Sequence, residues 1–131
     1  MKNNIPKQFK KAVKDLMRKH CWNMGVSNYL GDILYMESDR SDNTNSDVHA
    51  EMTVDRRYLS ATLKVYPIAI RKFKQDGMEY LDHLIAHEVA HIVTQHVMDL
   101  LVSCYKDEGE TKDAWESLTE TIGRMSSKIK H

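Results

Sequence analysis

Residues 78–93 read MEYLDHLIAHEVAHIV, and in this run Leu81, Leu84, Ile85, Val89, Ile92 and Val93 recur at helical spacing. A helix is expected to begin at about Gly77 or Met78, where Asp76 and Glu79 stand at capping-box spacing. Its end is poorly marked, because nothing from Met78 to Lys106 is Pro or Gly. Within it lies His87-Glu88-Val89-Ala90-His91, an H-E-x-x-H pattern. At 100° per residue the two histidines stand about 40° apart on the helix surface and one turn apart along it, so both imidazoles can reach one ion. Glu88 flanks the same place, where a carboxylate can take a proton from the water that a zinc ion activates.

Working back from this helix, Val48, Ala50, Met52 and Val54 alternate with His49, Glu51, Thr53 and Asp55, and Ala61, Leu63 and Val65 alternate with Thr62, Lys64 and Tyr66. Two half-buried strands joined at Arg56 to Ser60 follow, with Pro67 ending the second and able to open a short helical turn. Residues 29–37 (YLGDILYME) are apolar and β-prone enough for a third strand, and 38–47 (SDRSDNTNSD) form a polar, acidic loop. From Ile5 to His20, Ile5, Phe9, Val13, Leu16 and Met17 recur at helical spacing among Lys7, Lys10, Lys11, Lys14 and Arg18, the pattern of an amphipathic helix with a basic outer face. Forward of the motif, Gly109 breaks the periodicity, and Asp113 to Lys128 resume it with Trp115, Leu118, Ile122 and Met125. The expected fold is α+β, a small antiparallel sheet of about three strands packed on three to four helices, forming one domain over 1–131.

Composition narrows the setting. Cys21 and Cys104 lie far apart without Cys-x-x-Cys spacing, which argues against a thiolate zinc cage and for a reducing, cytoplasmic setting. No stretch approaches the roughly 20 apolar residues that span a bilayer, so no membrane partner is expected. The formal net charge is zero, yet residues 1–20 hold seven Lys or Arg against one Asp.

Catalytic zinc typically takes three protein ligands and leaves a fourth place for water. His83 and His96 are nearest in sequence, but three histidines in a row along a straight helix cannot converge on one ion, and His96 points about 140° away from His91. Glu116 and Glu120 suit better: at i, i+4 on the final helix, one can bind the metal while the other orients a histidine. Ligation by Glu116 requires the main helix to bend or stop near Thr94 to His96, since a straight helix would carry the chain about 22 Å past His91 before it returns.

The block Leu84-Ile85-Ala86-His87-Glu88-Val89-Ala90-His91-Ile92-Val93, followed about 25 residues later by Trp115-Glu116-Ser117-Leu118-Thr119-Glu120, resembles the zincin metallopeptidases. The resemblance is to the minimal phage and bacterial zincins related to SprT-like and ImmA-like proteins. In their gluzincin branch a downstream E-x-x-x-D supplies the third ligand and an orienting acid, which maps to Glu116 and Glu120, with Glu in place of the Asp. The metzincin pattern fails, with Thr94 where its Gly should stand and Val97 where its third His should be. The resemblance implies an edge strand from residues 48–66 above the zinc cleft that binds an extended peptide by β-addition, and a Tyr or His that stabilises the oxyanion. Tyr58, Tyr66, Tyr105 and His49 are the candidates. The expected activity is zinc-dependent hydrolysis of peptide bonds in a protein or peptide substrate, with His87, His91 and Glu116 on Zn2+, Glu88 as general base and Glu120 bracing a ligand. The alternative is a zincin-fold regulatory protein acting by contact on a repressor or a nucleic-acid-associated partner, motivated by the basic first helix. No helix-turn-helix or zinc-finger signature accompanies that helix.

Overall fold

The computed structural model describes residues 5–39, 48–104 and 108–128. The 40–47 part of the acidic loop, Tyr105 and the side chain of His96 lie outside the described residues. Helix α1 (Lys7–Asn23) is followed by strands β1 (Leu30–Tyr35), β2 (Ala50–Asp55) and β3 (Ser60–Val65), then by α2 (Pro67–Cys104) and α3 (Glu108–Ser127). This is an α+β fold with a small sheet packed on helices. None of the described helices is long and apolar enough to cross a membrane.

The sheet is mixed rather than antiparallel, with order β1-β3-β2: β2 runs antiparallel to β3, while β1 runs parallel to it. Strand β3 takes the centre because its inward side chains, Ala61, Leu63 and Val65, are the most completely buried of the sheet. A central strand is covered by neighbours on both edges. Strand β1, with Gly31 and Asp32, has less to bury and sits at one edge. The β2–β3 connection closes through a single 3-10 turn (Arg56–Tyr58), with Leu59 at φ +50°.

Helix α2 begins at Pro67, ten residues before the expected start, and its first segment is separated from the motif-bearing segment by Gly77 (φ 76°, ψ −157°). That left-handed φ is open to glycine at little cost. Asp76, expected as a cap, has its carboxylate 3.1 Å from Lys72 Nζ. One apolar cluster joins the elements: Phe9, Val13 and Leu16 of α1 meet Leu63 and Val65 of β3 and Leu81, Ile85, Val89 and Ile92 of α2. Phe9 packs edge-on against Phe73 and Tyr35.

A buried polar node ties the three helices together. His20 of α1 donates from Nε2 to Asp82 of α2 at 2.9 Å, and its Nδ1 accepts from the Ser126 hydroxyl of α3 at 2.5 Å. Burial holds His20 below its ordinary 6.5 against the upward pull of Asp82, so the ring stays neutral and serves as donor on one side and acceptor on the other.

Candidate metal centre

The motif segment of α2 buries Ile85, Val89 and Ile92 in the core, and this rotation turns His87, Glu88 and His91 toward a cleft of about 220 Å3. Ala50, Glu51 and Met52 of β2 form one wall of the cleft, and Trp115 and Glu116 of α3 form another. One donor atom from each of His87, Glu88 and His91 lies within 4.8 Å of the other two. Glu116 joins them from the facing helix, with one carboxylate oxygen 3.5 Å from His87 Nε2 and the other 3.4 Å from His91 Nε2.

Those two distances bear on whether the residues fit a metal. A direct charge-assisted hydrogen bond closes to about 2.7–2.9 Å. Donors that each stand about 2.0–2.2 Å from a shared tetrahedral ion are instead about 3.3–3.5 Å apart. The Glu116 contacts are longer than a direct bond and are made by its two different oxygens, so the carboxylate spans the space in front of both Nε2 atoms without either oxygen being placed at that spacing from both rings. A set of two imidazole nitrogens and one carboxylate oxygen is also a donor chemistry that suits zinc.

The two imidazoles are held in different ways. His87 donates from Nδ1 to Glu120 at 2.7 Å, which leaves the lone pair on Nε2, the atom that faces Glu116. Glu120 is itself held by Arg124 Nε at 2.7 Å and by His83 Nε2 at 2.9 Å. Burial raises its proton affinity, but the hydrogen bonds from Arg124 and His87 outweigh it, and Glu120 lies below its ordinary 4.5. His91 is held to about 4, first by burial and then by His87, so it is neutral at pH 7. Its ring packs against Trp115 at 4.6 Å between centroids, and its buried Nδ1 has no hydrogen-bond partner among the described residues.

Glu88 is buried and accepts a hydrogen bond from the Met52 backbone N–H of β2. Burial first, then the charges of Glu116 and Glu51, push its carboxyl up to about 8 against that bond. A dication nearby would reverse the sign of this local field and favour the carboxylate. Glu88 and Glu116 therefore differ in setting: both stand near the two rings, but the first is buried and bonded to β2, and the second approaches from α3 and is more exposed.

The bend expected near Thr94 to His96 does not occur, for the non-helical position in α2 is Gly77 and the helix continues to Cys104. Glu116 nevertheless reaches both histidines because α3 starts at Glu108 and takes Gly109 into its first turn, instead of starting near Asp113. Thr94 lies opposite Trp115 and Thr119, with hydrogen bonds of 2.7 and 2.8 Å. From Thr94 the chain descends about 15 Å to Cys104, and from Glu108 it climbs about 12 Å to Glu116, so the two arms match without a kink.

Other candidates are placed elsewhere. His83 supports Glu120 rather than joining the converging donors. Tyr66 donates its hydroxyl to Glu51, His49 shares a 2.6 Å hydrogen bond with Tyr80, and Tyr58 stands exposed at the β2–β3 turn.

Two features escaped the sequence reading. One is the Trp115–Thr94–Thr119 contact behind His91. The other is Gly123, where an added Cβ would lie 3.0 Å from the His87 Cα and backbone N. A lone Gly within a helical pattern is the signal that could have revealed it. Gly123→Ala gains up to about 1 kcal/mol of helix propensity but meets overpacking of about 1–3 kcal/mol. The helices are expected to separate by a few tenths of an ångström, carrying Glu116 and Glu120 off His87, so zinc affinity measured by chelator competition should fall more than thermal stability does. In comparisons with known proteins, the chain matches no family model, no curated protein and no solved structure.

Proposed function

We propose that this protein is a zinc-dependent peptidase that holds the ion with His87, His91 and Glu116 and uses Glu88 as general base. The observation that carries the reading is the convergence of His87, Glu88 and His91, whose donor atoms lie within 4.8 Å of one another, with the Glu116 carboxylate facing the two imidazole Nε2 atoms at 3.5 and 3.4 Å from the opposite helix. Zinc bound there would supply a Lewis acid that polarises the scissile carbonyl and lowers the pKa of the attacking water.

The chain's own groups do the rest. Glu88 takes the proton as water oxygen bonds to the carbonyl carbon, and it returns that proton to the amine nitrogen as the C–N bond breaks. Glu120 keeps His87 in the Nδ1–H tautomer throughout. Trp115 limits rotation of His91.

Strand β2 gives the substrate a place to lie. The Tyr66 N–H donates to the His49 carbonyl at 3.0 Å, so by alternation the backbone groups of Ala50, Met52 and Val54 face away from β3, the Met52 N–H toward Glu88 and the others along the edge. An extended peptide would pair with this edge by β-addition, presenting its carbonyl between Glu88 and the histidines. A cytoplasmic setting suits the free Cys21 thiol.

The test is the metal content of the purified protein beside its His87→Ala and Glu116→Ala variants. About one zinc per chain is expected in the parent, none in His87→Ala, and affinity lower by roughly 10- to 100-fold or more in Glu116→Ala. A parent protein that takes up no zinc from a buffered solution would remove the reading.

A further inference from the structure

The basic face of α1 takes no part in the cleft. It borders a second cavity, of about 640 Å3, at the opposite edge of the sheet, between α1 and β1. Met17 and Cys21 of α1 and Tyr29 and Ile33 beside them supply apolar lining. Trp22, also in the lining, is 71% exposed. Its indole lies open beside that apolar lining, so the cavity and the ring form one exposed apolar surface.

Two further observations say what would fit. The Met36 N–H donates to the Val65 carbonyl at 2.8 Å, so alternation along this parallel edge turns the N–H and C=O groups of Gly31 and Ile33 away from β3. Both residues line the cavity, so one of its walls is a strand edge. Lys14 and Arg18, at i, i+4 on the same wall of α1, have no ion-pair partner among the described residues, whereas Lys11 is paired with Asp15 and Lys19 with Asp82; with Asp32 of β1 the one acid in the lining, the groove keeps an excess of positive charge on its α1 wall.

We propose that the groove between α1 and β1 is a docking site for an extended segment of a partner protein that carries acidic side chains alternating with apolar ones. The segment adds to the sheet as a strand beside β1, its apolar side chains enter the cavity against Trp22, and its carboxylates meet Lys14 and Arg18. A second copy of this chain suits the groove less well, because pairing β1 with β1 across a two-fold axis would bring two sets of Lys14 and Arg18 together. A single-stranded nucleic acid would use the indole and the cations but leave the Gly31 and Ile33 backbone groups without partners. None of these residues lines the metal cleft, so the proposal does not rest on the hydrolytic reading.

The test is selection of random ten-residue peptides on the full chain, after the pool has been depleted on the Lys14→Glu/Arg18→Glu double variant, whose substituted positions are exposed. Enriched peptides should carry acidic residues alternating with apolar ones. A synthetic representative should bind the double variant at least tenfold more weakly than the parent, and should shift tryptophan emission to the blue in the parent but not in Trp22→Phe. Binding should persist unchanged in His87→Ala. Enrichment without acidic residues, equal affinity for the double variant, or an oligothymidylate that binds through Lys14, Arg18 and Trp22 where the peptides do not, would each overturn the proposal. So would a dimer closed over β1 that excludes the peptides.

Discussion

Glu88→Gln is expected to keep zinc at the parental stoichiometry and to slow cleavage of an unfolded polypeptide by about 10²–10⁴-fold, the usual contribution of a positioned general base. Glutamine has nearly the same shape, and its amide oxygen can still accept the Met52 N–H that joins α2 to β2. The wall of the cleft should therefore stay where it is while proton transfer is lost. Metal analysis and cleavage rates on the same preparation separate the two effects. Parental cleavage by this variant would rule out Glu88 as the base, and with it the proposed reaction.

Removing the metal is expected to expose the cost of the buried acid. In the metal-free protein the Glu88 carboxyl stands at about 8 against an ordinary 4.5. A raised acid contributes stability at low pH that is lost as pH climbs through the folded value. His91, at about 4 against 6.5, has the opposite sign: its contribution is complete above 6.5 and is lost as pH falls. Between about pH 4.5 and 6.5 the two slopes oppose each other and largely cancel, while His20, also depressed, adds to the loss on the acid side. Above pH 6.5 the Glu88 slope dominates, offset in part by the last of the His91 and His20 titration in the unfolded chain. At about 1.4 kcal/mol per tenfold change in proton affinity, stability should drop on the order of 1 kcal/mol between pH 6.5 and 8. Urea unfolding with a chelator should show this drop, and the same series with zinc should not, because the dication favours the ionised carboxylate. A chelated protein equally stable at pH 6.5 and 8 would contradict this account of Glu88.

What could be read from the residue order was the local periodicity. The 3.6-residue repeat around His87 and His91 was enough to place both rings on one side of a helix, and the two-residue alternation in 48–55 and 60–66 marked which side chains face inward. Alternation is silent about neighbours, and so β1 was expected in an antiparallel sheet and lies parallel to β3. Gly109 looked like a break because glycine disfavours helix interiors by about 1 kcal/mol, a penalty that contacts elsewhere can offset. The bend required of α2 followed from that error. The nearness of Glu116 to His91, of Gly123 to His87 and of Ser126 to His20 are all matters of how α3 lies on α1 and α2, which no short window of sequence encodes.

Helix α3 holds Glu116, Glu120, Gly123 and Ser126, and it leaves the ribosome after α2. At roughly 5–20 residues per second, about one to five seconds separate the synthesis of His91 from that of Glu116. During that interval the nascent chain presents two histidines with no Glu116 facing them, no brace for His87, and a His20 that has Asp82 but still lacks Ser126. On the proposed reading, a peptidase assembled in this order is inert until α3 has followed α2 out of the ribosome, which spares both itself and the polypeptides emerging beside it.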